Sequence, residues 1–328
     1  MRALWPHQRD CLASLERSSA PRGLVVIPTG GGKSEIQRIT VLAWLAASAS
    51  HRAVIAVPNR TLAFQHRAGF YLHNHSSIVP TLCMQGYAVA RGSKIIVSTY
   101  QSLAAVIAYF ESIAQKFKDV LLIADECHHC NIDAPVFHGA VKRFPRRIGF
   151  SATPWTNGCQ ALFDGNFYYF LGITDAIKQQ VIADYRVELK SSLKADPSRA
   201  YQMHFVHRMP DADKRVLRNA VYCEDPISQY RPQKNDIIVE KFRSGEISCL
   251  YVNRMLLEGF DCPKVKLIYI SKKTDSELLL YQMIGRGLRR YNSERLTVFV
   301  DNERSLTMLQ SVRQWAEEAE GDLWQRGK

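Results

Sequence analysis

The chain has 328 residues, a length that suggests about two domains, and its hydrophobic fraction of 46% is ordinary for a globular protein. No stretch reaches the eighteen or so apolar residues needed to cross a membrane, and residues 1–6 do not form a secretory signal. The eight cysteines are mostly single, which is typical of a reducing intracellular compartment (cytoplasm, nucleus or nucleoid) and excludes a disulfide scaffold. A formal net charge of +12 favours a polyanionic partner, with simple solubility as the alternative.

The first predicted helix continues through Leu15 and begins near Gln8. The Gln8 side chain carries a donor and an acceptor, so it is able to pair with the edge of an adenine ring. Glutamine is also common where helices begin. Trp5 is a candidate to flank the same base, with an ordinary core or surface aromatic as the alternative.

The next segment combines a strand, a glycine-rich loop and a helix. Residues 23–27 are predicted as a buried parallel strand and residues 35–45 as a helix. This order is the context of a phosphate-binding loop, in which backbone amides and a helix start face one anion. Lys33 would reach the β- and γ-phosphates, and Ser34 would hold Mg²⁺. Ile27 stands where the general motif begins with glycine, so a plain glycine-rich turn is the alternative. The candidate loop residues are Thr29, Gly30, Gly31, Gly32, Lys33 and Ser34.

Two further buried strands are predicted at residues 52–57 and 94–99, and polar residues follow each of them. Open α/β sheets place their sites at the carboxyl ends of strands. Arg60, Thr99 and Gln101 are therefore candidates for contact with a ligand, with local helix capping as the alternative.

Residues 119–124 form another apolar strand, and it delivers Asp125 and Glu126. Two adjacent carboxylates at the end of a buried strand are costly unless they serve an ion or a reaction. Asp125 suits Mg²⁺, directly or through water, and Glu126 suits a general base that orients an attacking water. The strand at residues 147–150 then leads to the hydroxyls of Ser151 and Thr153.

Cys127, His128, His129 and Cys130 could be mistaken for a metal cluster. Four consecutive residues do not easily converge on one ion, and no second cysteine pair follows at zinc spacing. We therefore do not expect zinc here.

The ordered set of Gln8, the loop at residues 28–34, the Asp-Glu-Cys-His run at residues 125–128 and Ser-Ala-Thr at residues 151–153 resembles the first motor domain of a superfamily 2 helicase. The second half continues the resemblance with Glu-Gly-Phe-Asp at residues 258–261 and Gln-x-x-Gly-Arg-Gly-Leu-Arg at residues 282–289. These motifs are closest to the DNA repair, branch-migration and restriction-subunit translocases.

In the second half, residues 171–184 are predicted as the crossing between domains and residues 201–206 as the first strand that follows. Strands are also predicted at residues 247–252 and 266–270. Helices are predicted at residues 213–220, 236–242, 278–290 and 303–324. On the third of these helices, Gln282, Arg286 and Arg289 are spaced by four and three residues, which places them on one face.

The resemblance implies an α/β fold of two tandem RecA-like domains with parallel sheets, a P-loop NTPase, at residues 1–170 and 171–328. ATP and Mg²⁺ would bind in the cleft between the domains, and nucleic acid would lie across both, contacted by Arg60, Thr99 and Gln101. Lys33, Glu126, Arg286 and Arg289 would be catalytic, the two arginines acting as fingers on the γ-phosphate. Gly259 and Asp261 would lie near the ribose, and His128 would couple the nucleotide site to the second domain, with a structural hydrogen bond as the alternative.

Three functions follow from these motifs. The first is an ATP-dependent helicase or translocase on DNA, with a partner protein that supplies strand separation or targeting. The second is an RNA-dependent ATPase or RNA helicase. The third is a nucleotide-gated nucleic-acid-binding protein without turnover, and it is disfavoured because a switch needs neither the base Glu126 nor an arginine finger.

Overall fold

The structure, a computed structural model, describes residues 3–72, 78–130, 135–154, 158–190, 199, 201–206, 220–223, 232–252, 260, 262–271, 274, 276–292 and 294–311. The chain divides into two compact units, the first ending at Gly172 and the second beginning at Ile173. Each unit is an α/β domain built on a parallel sheet, as expected for tandem RecA-like domains.

The first unit contains a seven-stranded parallel sheet in the order β3-β4-β2-β5-β6-β1-β7. Its strands are β1 (Arg22–Val26), β2 (Arg52–Val57), β3 (Thr81–Cys83), β4 (Ile95–Thr99), β5 (Val120–Asp125), β6 (Arg146–Ser151) and β7 (Phe167–Phe170). Its helices are α1 (Pro6–Arg17), α2 (Lys33–Ala46), α3 (Arg60–Leu72), α4 (Leu103–Ser112) and α5 (Pro135–Lys142).

The central strands of this sheet are buried along almost their whole length. Strands covered by helices on both faces read as continuous apolar runs, which is the pattern of β1, β2 and β5. Packing is tight at Gly149 of β6, where an added Cβ would lie 2.7 Å from the side chains of Leu24 and Phe163. A glycine is therefore required there by close contact across the core.

The second unit contains a six-stranded parallel sheet in the order β10-β11-β9-β12-β13-β8. Its strands are β8 (Tyr185–Leu189), β9 (Gln202–Phe205), β10 (Ala220–Cys223), β11 (Cys249–Val252), β12 (Leu267–Ile270) and β13 (Leu296–Val300). Its helices are α6 (Ile173–Lys178), α7 (Pro232–Ser244) and α8 (Glu277–Gly285), and residues 303–311 are also helical.

Two expectations for the second unit are wrong. The first strand is β8, at the sheet edge beside β13, and not the strand at residues 201–206, which is central. Helix α8 ends at Gly285 instead of continuing to Arg290. Most of the helix expected at residues 213–220 lies outside the described residues, and Ala220 itself belongs to a strand.

His204 lies on the central strand β9 between two tyrosine rings. Its ring is stacked on Tyr269 at 4.0 Å and lies 4.6 Å from the ring of Tyr251. Its Nε2 atom has no hydrogen-bond partner among the described residues. Burial, assisted by the charge of Lys190, lowers the pKa of His204 to about 3. The imidazole is therefore neutral in the folded sheet.

The cysteines whose side chains the structure describes are all free and buried. They are Cys11, Cys83, Cys127, Cys130, Cys159, Cys249 and Cys262. None of the helices in the described part of the chain combines the length and apolar content that crossing a bilayer requires.

Candidate nucleotide site

The candidate residues of the first unit share one edge of its sheet. Strands β1, β2, β4, β5 and β6 run parallel, so their carboxyl ends meet at the same edge. The glycine-rich loop follows β1, Asp125 ends β5 and Ser151 ends β6. The fold thus brings segments far apart in sequence into one site.

The loop at residues 28–32 has the backbone of a phosphate cradle. Gly30 and Gly32 have φ angles of 90° and 79°, a region that side chains with a Cβ rarely adopt. Helix α2 begins directly afterwards at Lys33, whose Nζ donates to the carbonyl of Ile27 at 3.1 Å. Ser34 is exposed in the first turn of α2. Amide groups and the positive end of the helix are therefore available to one anion.

Gln8 is attached to this loop. Its Nε2 donates to the carbonyl of Gly32 at 3.3 Å, and its Oε1 accepts from the backbone amide of Trp5 at 2.9 Å. The contact is close enough that a Cβ on Gly32 would lie 2.4 Å from the Gln8 amide. Gln8 therefore connects the start of α1 to the phosphate-binding loop, beside the position expected for a base.

Asp125 is 4% exposed and both of its carboxylate oxygens have partners. Gln37 Nε2 donates to Oδ1 at 2.7 Å, and His66 Nε2 lies 2.9 Å from Oδ2. Burial by itself raises the pKa of Asp125, but the contacts with His66, Lys33 and Gln37 outweigh it and lower the pKa below its ordinary value. The carboxylate is therefore ionised and held in a fixed orientation, as a group serving a cation requires.

Glu126 has a left-handed backbone with a φ of 47°, at the junction of β5 and the 3₁₀ turn Cys127–Cys130. Its Oε1 lies 3.8 Å from Lys33 Nζ, and its Oε2 lies 3.5 Å from His128 Nδ1. The same His128 nitrogen is 3.0 Å from Ser151 Oγ, which also accepts from the amide of Thr153. The Asp-Glu-Cys-His and Ser-Ala-Thr segments are thus joined by direct hydrogen bonds.

The thiols beside this site are packed into the core. Cys127 Sγ lies 3.8 Å from Cys159 Sγ, and burial raises the pKa of Cys127 and Cys130. Among the residues that the structure describes, no three cysteine, histidine or acidic side chains converge as a metal site. Burial of these cysteines accounts for them as core residues.

The three candidates for nucleic-acid contact lie at the same edge but differ in exposure. Gln101 is exposed, Arg60 is half-buried at the start of α3, and Thr99 is 6% exposed. The Thr99 hydroxyl donates to Ser102 Oγ at 3.2 Å, and Asn59 rather than Arg60 caps α3 through the amide of Leu62. Gln101 and Arg60 therefore present their side chains more openly than Thr99.

Arg286 and Arg289 are not on one helical face, contrary to the sequence expectation. Helix α8 stops at Gly285, and Arg289 forms a β-bridge with Ile182. The chain turns because the carbonyls of Gly287 and Arg289 bond to the ammonium of Lys266, which fixes them outside a helix. Arg286 is 5% exposed and donates to the carbonyls of Gln282 and Phe260, whereas Arg289 is partly exposed. Gly259 and Asp261 lie outside the described residues.

His66 and Gln37 are the site residues that sequence reasoning did not find. Gln37 lies four residues after Lys33, so a helical count from the loop places it one turn further along α2. His66 lies on α3, fifty-nine positions before its partner Asp125, and no local pattern indicates that contact.

Two families match the chain in order. Residues 2–156 match "Type III restriction enzyme, res subunit", and residues 197–291 match "Helicase conserved C-terminal domain". A P-loop site on the first of two parallel-sheet domains defines the class, a tandem RecA-like NTPase. The chain belongs to the superfamily 2 helicases, a family of nucleic-acid-dependent ATPases.

Solved structures show the same fold at low sequence identity. The Type ISP restriction-modification enzyme LlaBIII bound to DNA is 14% identical, with a TM-score of 0.69 over 96% of this chain and 30% of that one. The DUF1998 helicase MrfA bound to DNA is 14% identical, with a TM-score of 0.70 over 99% and 49% of the two chains. Dbp5 of S. cerevisiae bound to RNA and ADP BeF3 is 15% identical, with a TM-score of 0.67 over 99% and 98%.

A curated relative, named as the ATP-dependent helicase IRC3 of Saccharomyces cerevisiae, is 36% identical over 76 residues. That match covers 23% of this chain and 11% of the relative. The chain also spans less than a third of the restriction-modification enzyme.

Proposed function

We propose that this protein hydrolyses ATP in order to move along or remodel DNA. The observation that carries the proposal is the arrangement of Lys33, Asp125 and Glu126 beside a phosphate-binding loop. Lys33 Nζ lies 3.8 Å from the candidate base Glu126, and Asp125 is ionised next to them. A phosphate-binding site without turnover would need the lysine but not the adjacent base.

ATP would be held through its phosphates by the loop from Thr29 to Ser34, with Gln8 at the adenine and Asp261 and Gly259 at the ribose. The donor set fits Mg²⁺, because the ionised Asp125 and the hydroxyl of Ser34 are hard oxygen ligands. Mg²⁺ bound there would neutralise charge on the phosphates.

Glu126 accepts the proton of the attacking water, and its orientation is set by Lys33 and His128. Arg286 and Arg289 supply positive charge to the γ-phosphate in the transition state when the two domains close. His128 couples the two events through Ser151 at the end of the neighbouring strand.

DNA is favoured over RNA by the first-domain match, which is to a restriction-enzyme subunit. Contact would be mainly with backbone phosphates, to which the net charge of +12 contributes. Arg60, Thr99 and Gln101 are the proposed contacts in the first domain. RNA is the second candidate, because Dbp5, whose structure contains RNA, is matched over 98% of its length.

The test is ATP hydrolysis by the purified protein, measured side by side with duplex DNA, single-stranded DNA and RNA. We expect slow hydrolysis alone and stimulation by DNA, with duplex at least as effective as single strands. Stimulation by RNA and not by DNA would replace the proposal with the second candidate. Hydrolysis that no nucleic acid stimulates would contradict both.

A further inference from the structure

The carboxylate of Asp125 is gripped by two side chains that the helicase motifs do not include. Gln37 of α2 donates to Oδ1 at 2.7 Å, and His66 of α3 lies 2.9 Å from Oδ2. Gln37 is fully buried, His66 is 6% exposed and Asp125 is 4% exposed. The three side chains form a closed polar cluster between two helices and the end of β5.

The direction of both hydrogen bonds follows from the charge of Asp125. Because its pKa is lowered, the carboxylate is an acceptor only, so the amide group of Gln37 and the Nε2–H of His66 must be the donors. One lone pair on each oxygen is used, and rotation of the carboxylate would break one of the bonds. Asp125 is therefore fixed in orientation while one acceptor position on each oxygen stays available.

Gln37 provides a second and independent observation. Its Nε2 faces Asp125, so its Oε1 is left as an acceptor, and that buried atom has no hydrogen-bond partner among the described residues. A buried acceptor without a donor is costly, roughly 1–3 kcal/mol. Water molecules in the coordination shell of Mg²⁺ are strong donors and would satisfy this atom. The cluster thus fits a hydrated cation better than an empty core.

We propose that His66 and Gln37 are positioning residues that hold Asp125 in the orientation in which it binds Mg²⁺ with the nucleotide, with Gln37 Oε1 accepting from the same hydration shell. The proposal rests on the function proposed above and adds residues that set the metal dependence of the site. Groups that orient a metal-binding carboxylate are typically worth about 10- to 100-fold in metal affinity or activity.

The experiment measures binding of a fluorescent ADP analogue in excess Mg²⁺ and in EDTA. His66→Leu keeps an apolar volume and removes the donor, so we expect affinity in Mg²⁺ to fall by about 10-fold or more, with affinity in EDTA unchanged. The Mg²⁺ concentration that half-saturates ATP hydrolysis should rise by a similar factor. His51→Leu is the matched control, because His51 contacts the Trp44 carbonyl at 2.7 Å in the same domain, away from the loop.

A conservative pair keeps the test decisive if His66→Leu does not fold. His66→Gln places an amide nitrogen near the position of Nε2 and should restore Mg²⁺-dependent binding, whereas His66→Asn is too short and should not. Equal behaviour of the Gln and Asn variants, or an equal loss in Mg²⁺ and EDTA, would overturn the proposal. If the parent protein binds the nucleotide equally in Mg²⁺ and EDTA, the proposed function itself is wrong.

Discussion

Glu126 combines a left-handed backbone with a side chain held between two cationic groups. Non-glycine residues in this region cost of order 1–3 kcal/mol, and such strain is concentrated at active sites. Here it turns the carboxylate away from the line of β5, towards Lys33 and His128. The strained backbone is therefore consistent with the role of a base that must point into the site.

Glu126→Gln should keep nucleotide binding and reduce hydrolysis by about 10²- to 10⁴-fold, because an amide does not accept the proton of the attacking water. Binding of a fluorescent nucleotide and steady-state hydrolysis measure the two effects separately. Lys33→Ala is the comparison variant, since loss of the charge on the phosphates should weaken binding itself. Hydrolysis by Glu126→Gln at the parent rate would show that another group is the base.

The end of helix α8 determines where the candidate arginine fingers lie. Arg286 is the residue after the helix, anchored to the carbonyls of Gln282 and Phe260, and Arg289 is three residues further in extended backbone. The two guanidiniums are therefore positioned by different parts of the chain. Their contributions should be separable by mutation.

Arg289→Ala should lower the maximal rate of hydrolysis by about 1000-fold or more while nucleotide and DNA binding stay close to those of the parent. Arg286→Lys should not preserve activity, because lysine lacks the planar fork that bonds two carbonyls and an anion together. Arg290→Ala, which removes an exposed neighbouring charge, is the control. Loss of DNA affinity in proportion to rate would make Arg289 a phosphate anchor.

The central strand β9 makes the stability of the second unit depend on pH. The pKa of His204 is about 3 in the folded state and near 6.5 when unfolded, so below pH 6.5 the unfolded chain binds more protons. Stability should be complete above about pH 6.5 and fall by up to about 1.4 kcal/mol per pH unit as the pH drops towards 3. Denaturant unfolding of the parent and of His204→Phe across this range measures the effect; equal slopes would contradict it.

The sequence predicts the central strands better than the edges. Continuous apolar runs identify β1, β2, β4, β5, β6, β9, β11 and β12 to within about two residues. The edge strands β3, β7, β8 and β10 are not predicted, because a strand with one open side need not be continuously apolar. In β8, for example, Arg186 and Glu188 alternate with apolar residues. The pattern also does not predict β13.

The site divides in the same way. Lys33, Asp125 and Glu126 are predicted because their chemistry depends on local order, strand then polar residue, and the family motifs record that order. The contacts of His66 with Asp125 and of Lys266 with the carbonyls after α8 depend on three-dimensional packing. Sequence periodicity carries no information about such contacts.

At the scale of the whole molecule, the positive charge predicts a strong effect of salt. A protein that neutralises six to ten phosphates loses about 10³- to 10⁵-fold in affinity between 50 and 200 mM salt. We expect DNA-stimulated hydrolysis to show this loss in the DNA concentration needed for half-maximal rate, with the rate at saturating DNA much less affected. A half-maximal concentration independent of salt would contradict phosphate contact as the main mode of binding.

The buried cysteines make each domain its own reporter of opening. Five of the described thiols, at positions 11, 83, 127, 130 and 159, lie in the first unit, and those at 249 and 262 lie in the second. Burial raises the pKa of Cys11 to about 12, so in the closed core the reactive thiolate is scarce as well as inaccessible. Alkylation should therefore proceed only as fast as each domain transiently unfolds. Mass spectrometry of the labelled peptides should show nucleotide slowing modification of Cys127 and Cys130, beside the proposed catalytic carboxylates, more than modification of Cys249.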